Sequence, residues 1–315
     1  MKPKGHLEAH ITRDYNKIIK GWFSEICPMW PGISLSLEIE SCLYSTQSKF
    51  QTIELFQTRH YGKMLALDGI IQLTESDEFA YQEMLAHVPL FSHPDPEKVL
   101  IIGDGDGGIL RETARHGGIK TIDLCEIDEQ VIHVSQRFLP QLAYGFEDSR
   151  ISVHIEEGRN FIQRKKNEYD VIMVDSSDPV EPGTALFERP FYEGIKSALK
   201  ANGIMAVQGE SFFPNNSVVT NMMALAKELY PVQAYSYFLV PTYIGGHIGI
   251  CLGSLGPDVT RPNRGVTQSF QNQLYYYTPR LHEASCVLPE FVNRMFKQGR
   301  TLERSGSSRN RYQAH

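Results

Sequence analysis

The order of apolar runs along this 315-residue chain predicts an α/β protein, a doubly wound parallel sheet with helices on both faces, preceded by a small antiparallel β-domain. Three observations carry that reading. Between Ser34 and Leu73 apolar and polar residues alternate, with turn residues such as Asp68-Gly69 between them, as in paired antiparallel strands. From Lys98 onward short apolar runs return at intervals of roughly 20–35 residues with helical stretches between them, the rhythm of a parallel sheet. The first of these runs, "VLII", breaks into "GDGDGG" before continuing as a helix, the place where open α/β sheets receive their ligands.

Taken in order, residues 1–20 are polar and are expected to form a flexible N-terminal segment. "SLSLEIESCLY", "FQTIELFQTRHYG" and "KMLALDGIIQLT" are the strands of the small sheet. "SDEFAYQEMLAHVPLF" is a helix with Ser76 or Asp77 near its N-cap. "KVLII", "TIDLCEI", "ISVHI", "YDVIMVD" and "GIMAVQG" are the strands of the large sheet, and "QVIHVSQRFL" and "PFYEGIKSALK" are among the helices that lie between them. "VQAYSYFLV" and "HIGICLG" close the sheet as a hairpin through the turn at Pro241–Gly246. The tail "GRTLERSGSSRNRYQAH" is rich in Ser and Arg and lacks an apolar face, so it is expected to be disordered. The chain thus divides into the segment 1–20, a β-domain over 21–75, a doubly wound domain over 76–297 and a tail over 298–315.

At 41% hydrophobic and 22% charged residues the composition is that of a soluble globular protein. A net charge of −6 argues against nucleic acid as a partner, because phosphate binding draws on clustered Lys and Arg. The five cysteines are scattered, without a C-x-x-C pair, which suits reduced thiols in a cytoplasmic compartment and offers no metal-ligand spacing. The first residues lack the apolar stretch of a signal peptide. No apolar run approaches the ~20 residues that a membrane-spanning helix needs, so no membrane is expected as a partner.

Ligands of open parallel sheets bind outside the carboxyl ends of the strands, so the residues found there decide the chemistry. Asp104 and Asp106 follow "VLII", Glu126 ends "DLCE", and Glu156 and Glu157 follow "SVHI". Asp175 ends "VIMVD" with Asp178 close behind, and Glu210 follows "MAVQG". Five consecutive strands therefore deliver acids to one edge, which makes a negative cleft that selects cations. Gly103, Gly105 and Gly108 satisfy the G-x-G-x-x-G spacing of a dinucleotide site, but the two aspartates within it oppose a pyrophosphate. Glu126, at the second strand end, is placed to accept the hydroxyls of a ribose. A nucleoside that carries a positive charge instead of phosphate points to S-adenosylmethionine or a derivative.

"VLIIGDGDGGILRE", "CEIDEQVI", "DSSDP", "DGIIQLTESDEFAYQEM" and "PTYIGG" together resemble the spermidine synthases, which are polyamine aminopropyltransferases. The resemblance runs from about Gly21 to about Phe296, and the combination of "DSSDP" with "YQEM" is its most specific part. It implies an N-terminal β-domain before a methyltransferase-like Rossmann domain, here 76–297, and a homodimer or homotetramer. The implied reaction passes the aminopropyl group of decarboxylated S-adenosylmethionine, a co-substrate rather than a resident cofactor, to putrescine. The products are spermidine and 5'-methylthioadenosine. By the same resemblance Asp175 would take the proton from the attacking amine, with Tyr81 hydrogen-bonded to that amine. Asp106 would meet the donor's ammonium, Glu126 the ribose, and Glu157 with Gly158 the adenine; Gln51, Gln82, Gly103 and Ser176 complete the donor site. Gln72, Tyr81, Asp178, Tyr243 and, more weakly, Glu210 would line the diamine channel. No metal is implied.

The chain departs from the family pattern in three places. The loop is usually G-G-G-D-G-G, and here Asp104 replaces the second glycine. Its carboxylate is expected to face solvent, the alternative being a second contact to the donor. Glu156-Glu157-Gly158 stands where G-D-G is usual, and Ile244 where proline is common. Rival readings are a spermine synthase or a putrescine N-methyltransferase on the same fold, and a non-catalytic oligomer partner.

Overall fold

A computed structural model describes residues 19–175, 186, 188–213 and 216–298. The first sheet has the order β1-β2-β3-β4-β5, from β1 (Trp22–Glu25), β2 (Leu35–Gln47), β3 (Thr52–Thr58), β4 (Lys63–Leu67) and β5 (Ile70–Thr74). Every neighbouring pair in it is antiparallel. Alternation buries one face: Ile53, Leu55, Leu65 and Leu73 pack against Val131, Val134, Leu139 and Leu142. The turn between β4 and β5 is the expected Asp68-Gly69, both with positive φ. Strand β1 is an element the apolar pattern does not single out.

Helix α1 (Glu78–Ser92) leads to the second sheet, β6 (Lys98–Gly103), α2 (Gly108–Ala114), β7 (Thr121–Glu126), α3 (Glu129–Phe138), the short α4 (Pro140–Ala143) and β8 (Ile151–Ile155). The chain continues through α5 (Gly158–Gln163), β9 (Tyr169–Asp175), α6 (Arg189–Ala198), β10 (Leu199–Gly209) and α7 (Asn216–Leu229). The hairpin β11 (Val232–Leu239) and β12 (His247–Ser254) and the helices α8 (Gln268–Gln271), α9 (Pro279–Ser285) and α10 (Glu290–Gln298) follow. The order is β11-β12-β10-β9-β6-β7-β8. The five strands β6 to β10 pair in parallel, and β12 is antiparallel to both β10 and β11, so the hairpin turns a parallel sheet into a mixed one as the sequence predicts.

Both faces are covered. One core gathers Met84, Leu85, Val88 and Phe91 of α1 with Ile109 and Leu110 of α2. The other gathers Phe161 of α5, Phe191 and Ile195 of α6 and Val219 and Met222 of α7. Being buried on both faces is why β9 reads as an unbroken apolar run from Val171 to Val174 before Asp175. The strand order reverses between β6 and β9, and there the crevice at the carboxyl ends opens. Among the described residues no helix is long and apolar enough to cross a membrane.

Candidate active site

Gly103 and Asp175, the last residues of β6 and β9, are register partners at the switch point. Gly103 has φ +88°, and a Cβ there would lie 1.8 Å from the Asp175 carbonyl oxygen, so only glycine lets the two strand ends approach. Two adjoining cavities of about 720 and 860 Å³ meet here, with Gln72, Asp106 and Asp175 lining both. The larger is walled by Ile102, Leu65 and Val131 and edged by Gln51, Gly103, Glu126, Glu157 and Gly158. The smaller is lined by Tyr81, Gln82, Glu210 and Tyr243. All the candidate residues within the described part of the chain thus fall on one continuous site. Ser176 and Asp178 lie outside the described residues.

Helix α1 brings the reactive groups of the smaller cavity to the junction. Tyr81, in its first turn, donates a short hydrogen bond to Asp175 Oδ1, and the next residue, Gln82, donates through Nε2 to Asp106 Oδ1 at 3.0 Å. Three ties hold the helix in this register. Glu78 makes a bidentate pair with Arg111 of α2, both contacts at 2.9 Å. Asp77 is the N-cap residue, one of the two expected positions; its carboxylate makes no bond to the helix and accepts instead from Thr74 Oγ1 and from Thr242 N and Oγ1, tying the helix start to the β11–β12 turn. Glu83 accepts three backbone N–H groups, from Tyr275, Tyr276 and Tyr277. On the turn, Tyr243 donates to the Gln72 carbonyl at 2.6 Å and packs edge-on to Tyr81.

On the nucleoside side Glu126, 8% exposed, accepts from Asp128 N at 2.7 Å. Asp128 also accepts from Gln51 Nε2 at 3.1 Å and from Ser48 Oγ at 2.6 Å, so it fixes Gln51 at the rim. Burial raises the affinity of these carboxyls for protons. Desolvation is the largest cause for each: Glu126 and Asp106 are pushed up to about 7 and Asp175 to about 6. The negative neighbours add to it, while the Tyr81 hydroxyl and the Asp104 N–H draw Asp175 down again. Tyr81 is pushed well above its usual range by burial and by the Asp175 charge, so it stays a hydrogen-bond donor. One oxygen each of Asp104, Asp106 and Asp175 lie within 4.8 Å of one another, a grouping that attracts cations.

Two expectations are corrected. Asp104 does not face solvent. It is 2% exposed, takes a positive φ of 64°, and turns its carboxylate onto the first amides of α2, accepting from Ile109 N at 3.0 Å and Leu110 N at 2.7 Å. Glu156 does not join the acids of the cleft: Arg164 pairs with both of its oxygens at 2.7–2.8 Å, and only Glu157 lines the cavity. Successive residues of an extended chain point to opposite sides, so one of the two had to leave. Four residues of the smaller cavity had no local signal in the sequence: Glu25 of β1, Trp30, Gln208 and His247. Trp30 Nε1, Gln208 Oε1 and Gln82 Oε1 are buried and without a protein partner among the described residues, polar atoms suited to a ligand that both donates and accepts.

Comparison with known proteins agrees with this geometry. The family model described as the spermine/spermidine synthase domain matches residues 78–263, and that of the spermidine synthase tetramerisation domain matches residues 21–75. A spermidine synthase of Dictyostelium discoideum is 46% identical over 277 residues, 88% of this chain and 98% of that one. One from Schizosaccharomyces pombe is 43% identical over 275 residues, 86% of this chain and 92% of that one. Among solved structures, a spermidine synthase in complex with the transition-state analogue AdoDATO superposes with a TM-score of 0.82 at 34% identity, covering 91% of this chain and 99% of that one. The spermidine synthase of Thermotoga maritima gives the same TM-score of 0.82 at 33% identity, again over 91% and 99% of the two chains.

Proposed function

The chain belongs to the spermine/spermidine synthase family, and from that premise we propose that it transfers the aminopropyl group of decarboxylated S-adenosylmethionine to putrescine, giving spermidine and 5'-methylthioadenosine. The observation that carries the reading is the position of Asp175. It is shared by both cavities and hydrogen-bonded by Tyr81, so it sits where an amine in the smaller cavity would meet a nucleoside in the larger.

A putrescine ammonium, with a pKa of ~10, has no lone pair until it loses a proton. Asp175 takes that proton, and its basicity, raised by burial, brings it nearer to the task. The freed nitrogen attacks the methylene beside the donor's sulfonium. The new C–N bond forms as the C–S bond breaks, and the electron pair of that bond leaves with sulfur as a neutral thioether. The sulfonium needs no further activation, so most of the work is positioning, with Tyr81 and Gln72 aligning the amine. Asp106, oriented by Gln82 and Gly108 N, holds the donor's ammonium. Glu126 holds the ribose, Glu157 and Gly158 the adenine, and Gln51 the nucleoside edge. Gly103 completes that side, while Tyr243 and Glu210 line the diamine channel; Ser176 and Asp178 are assigned to the donor and diamine sites by the family resemblance alone.

The match of 21–75 to a tetramerisation domain supports a homo-oligomer built through that β-domain, with 76–297 as the transferase unit. That no disulfide joins the five cysteines supports a cytoplasmic location. The test is to incubate the protein with decarboxylated donor and a panel of diamines and triamines and to identify the products by mass. Methylthioadenosine with spermidine is the expected pair. Spermine formed from spermidine, or S-adenosylhomocysteine formed from intact S-adenosylmethionine, would replace this reading with one of its rivals.

A further inference from the structure

Asp104 is the one acid of the glycine loop to which the transfer, as described, gives no task. Its geometry is nonetheless tightly specified. The positive φ aims its N–H at the Asp175 carboxylate, and its own carboxylate is held by the amides of Ile109 and Leu110. Both oxygens accept from N–H groups, so the side chain is not free to swing away. It thereby presents a fixed carboxyl group, negative once its proton is lost, to Asp106 and Asp175 within a cluster that spans 4.8 Å.

We propose that Asp104 is a positioning residue for the transfer: anchored on α2, its buried carboxylate makes Asp175 a stronger proton acceptor than it would be beside an uncharged residue, and forces the three-acid cluster to shed protons as the cationic substrates enter. This rests on the reading of Asp175 as the base. Like charges held close in a poorly hydrated site cannot all be ionised at once, so the empty cluster retains protons that ammonium groups displace. Asp104 is itself raised well above the usual carboxylate range, by burial first and by Asp106 and Asp175 next, while its backbone N–H lowers Asp175. The other groups that bear on the cluster are Glu126 from β7, Glu78 and Tyr81 from α1, Tyr243 from the β11–β12 turn, and Arg111 from α2. Of these only Arg111 is a cation, and Glu78 and Glu112 already pair with it.

The test compares the natural protein with Asp104→Asn and Asp104→Gly. Asn keeps one acceptor oxygen for the helix and loses the charge; Gly loses both and suits the positive φ. With both substrates saturating, the acid limb of turnover should move about 1 pH unit lower in both variants. The plateau should fall about 3- to 10-fold, because the base is weaker. Calorimetry of 1,4-diaminobutane binding in two buffers of different ionisation enthalpy should show proton release by the natural protein near pH 6.5 and less release by Asp104→Asn. An acid limb unmoved in both variants overturns the proposal, and so does loss of turnover in Asp104→Gly alone with the limb in place, which would make Asp104 a helix cap only. If the natural protein forms no transfer product, the function proposed above fails, and the calorimetry still decides this point: equal proton release by the natural protein and Asp104→Asn overturns it.

Discussion

Tyr81 opposes what burial does to Asp175, whereas Asp175 reinforces what burial does to Tyr81. Burial raises the Asp175 carboxyl, the Tyr81 hydroxyl lowers it, and the outcome of about 6 leaves it largely ionised at neutral pH, as a base must be. Asp175→Asn keeps the shape and removes the charge. Turnover should fall by about 10²–10⁴-fold, while binding of methylthioadenosine, read by calorimetry, stays within about threefold. Near-normal turnover at saturating putrescine would mean that Asp175 is not the base. Tyr81→Phe makes a different mark. Without the hydroxyl, Asp175 loses a donor to its charged form, so its affinity for protons rises and the acid limb of turnover moves to higher pH. Turnover on the plateau should also fall, about tenfold, as the amine loses a partner. A limb that moves to lower pH, or not at all, would show that the Tyr81 hydroxyl does not govern Asp175.

The elements that deliver these side chains differ in how plainly the sequence announces them. Strands β6, β9 and β10 carry apolar runs because the middle of the sheet is covered on both sides, while β8 at the edge is partly exposed; the strand ends carry the acids, so fold and cleft were legible together. The hairpin of β11 and β12 was legible from its turn. Strand β1 was not: four residues, "WFSE", are too few for alternation to stand out, and Glu25 reaches the smaller cavity only because β1 pairs with β2. Trp30, Gln208 and His247 are likewise brought in by tertiary packing rather than by a motif. Asp104 was misread because charge and loop position suggest exposure. The competing signal was the helix that follows, whose first N–H groups donate to a nearby carboxylate. The loop's sharpest demand was in plain view as glycine. Gly103→Ala would set a Cβ 1.8 Å from the Asp175 carbonyl oxygen in a left-handed backbone, which costs about 3 kcal/mol or more from strain and overpacking together. We expect the melting temperature to drop by about 5 °C or more with turnover lost, measured by thermal unfolding and product assay. A variant that melts like the natural protein would mean that β6 and β9 can separate at this edge without cost.

Across the molecule the site acids leave a signature in the pH dependence of ligand-induced stabilisation. Asp106 and Glu126 at about 7 and Asp175 at about 6 are all raised by burial above their unfolded values near 4. A raised carboxyl favours the folded state while it is protonated. That contribution is complete below the unfolded value and is lost as pH rises through about 6 to 7. Absolute stability will not display it cleanly, because other groups have the opposite sign. His93, His116 and His247 are lowered by burial, so their contribution is present above about 6.5 and is lost as pH falls. Glu112, held near 2 by His87 and Arg111 against the cost of burial, stays ionised throughout and adds no slope. The quantity that isolates the site is the rise in melting temperature caused by a fixed concentration of 1,4-diaminobutane. The diamine is fully cationic below about pH 8 and binds the ionised acids, so wherever those acids are protonated it must first displace protons. Between about pH 8 and pH 5.5, meeting Asp106 and Asp175 together should weaken its binding on the order of 100-fold. The melting shift should therefore be largest near pH 8, shrink steeply between about 7 and 6, and nearly vanish at 5.5. Scanning fluorimetry with and without the diamine, at constant ionic strength, makes the comparison. A shift of equal size at both ends of that range would mean that the diamine is held by neutral groups such as Trp30, Gln72 and Gln208, and that the acids at the strand ends do not bear its charge.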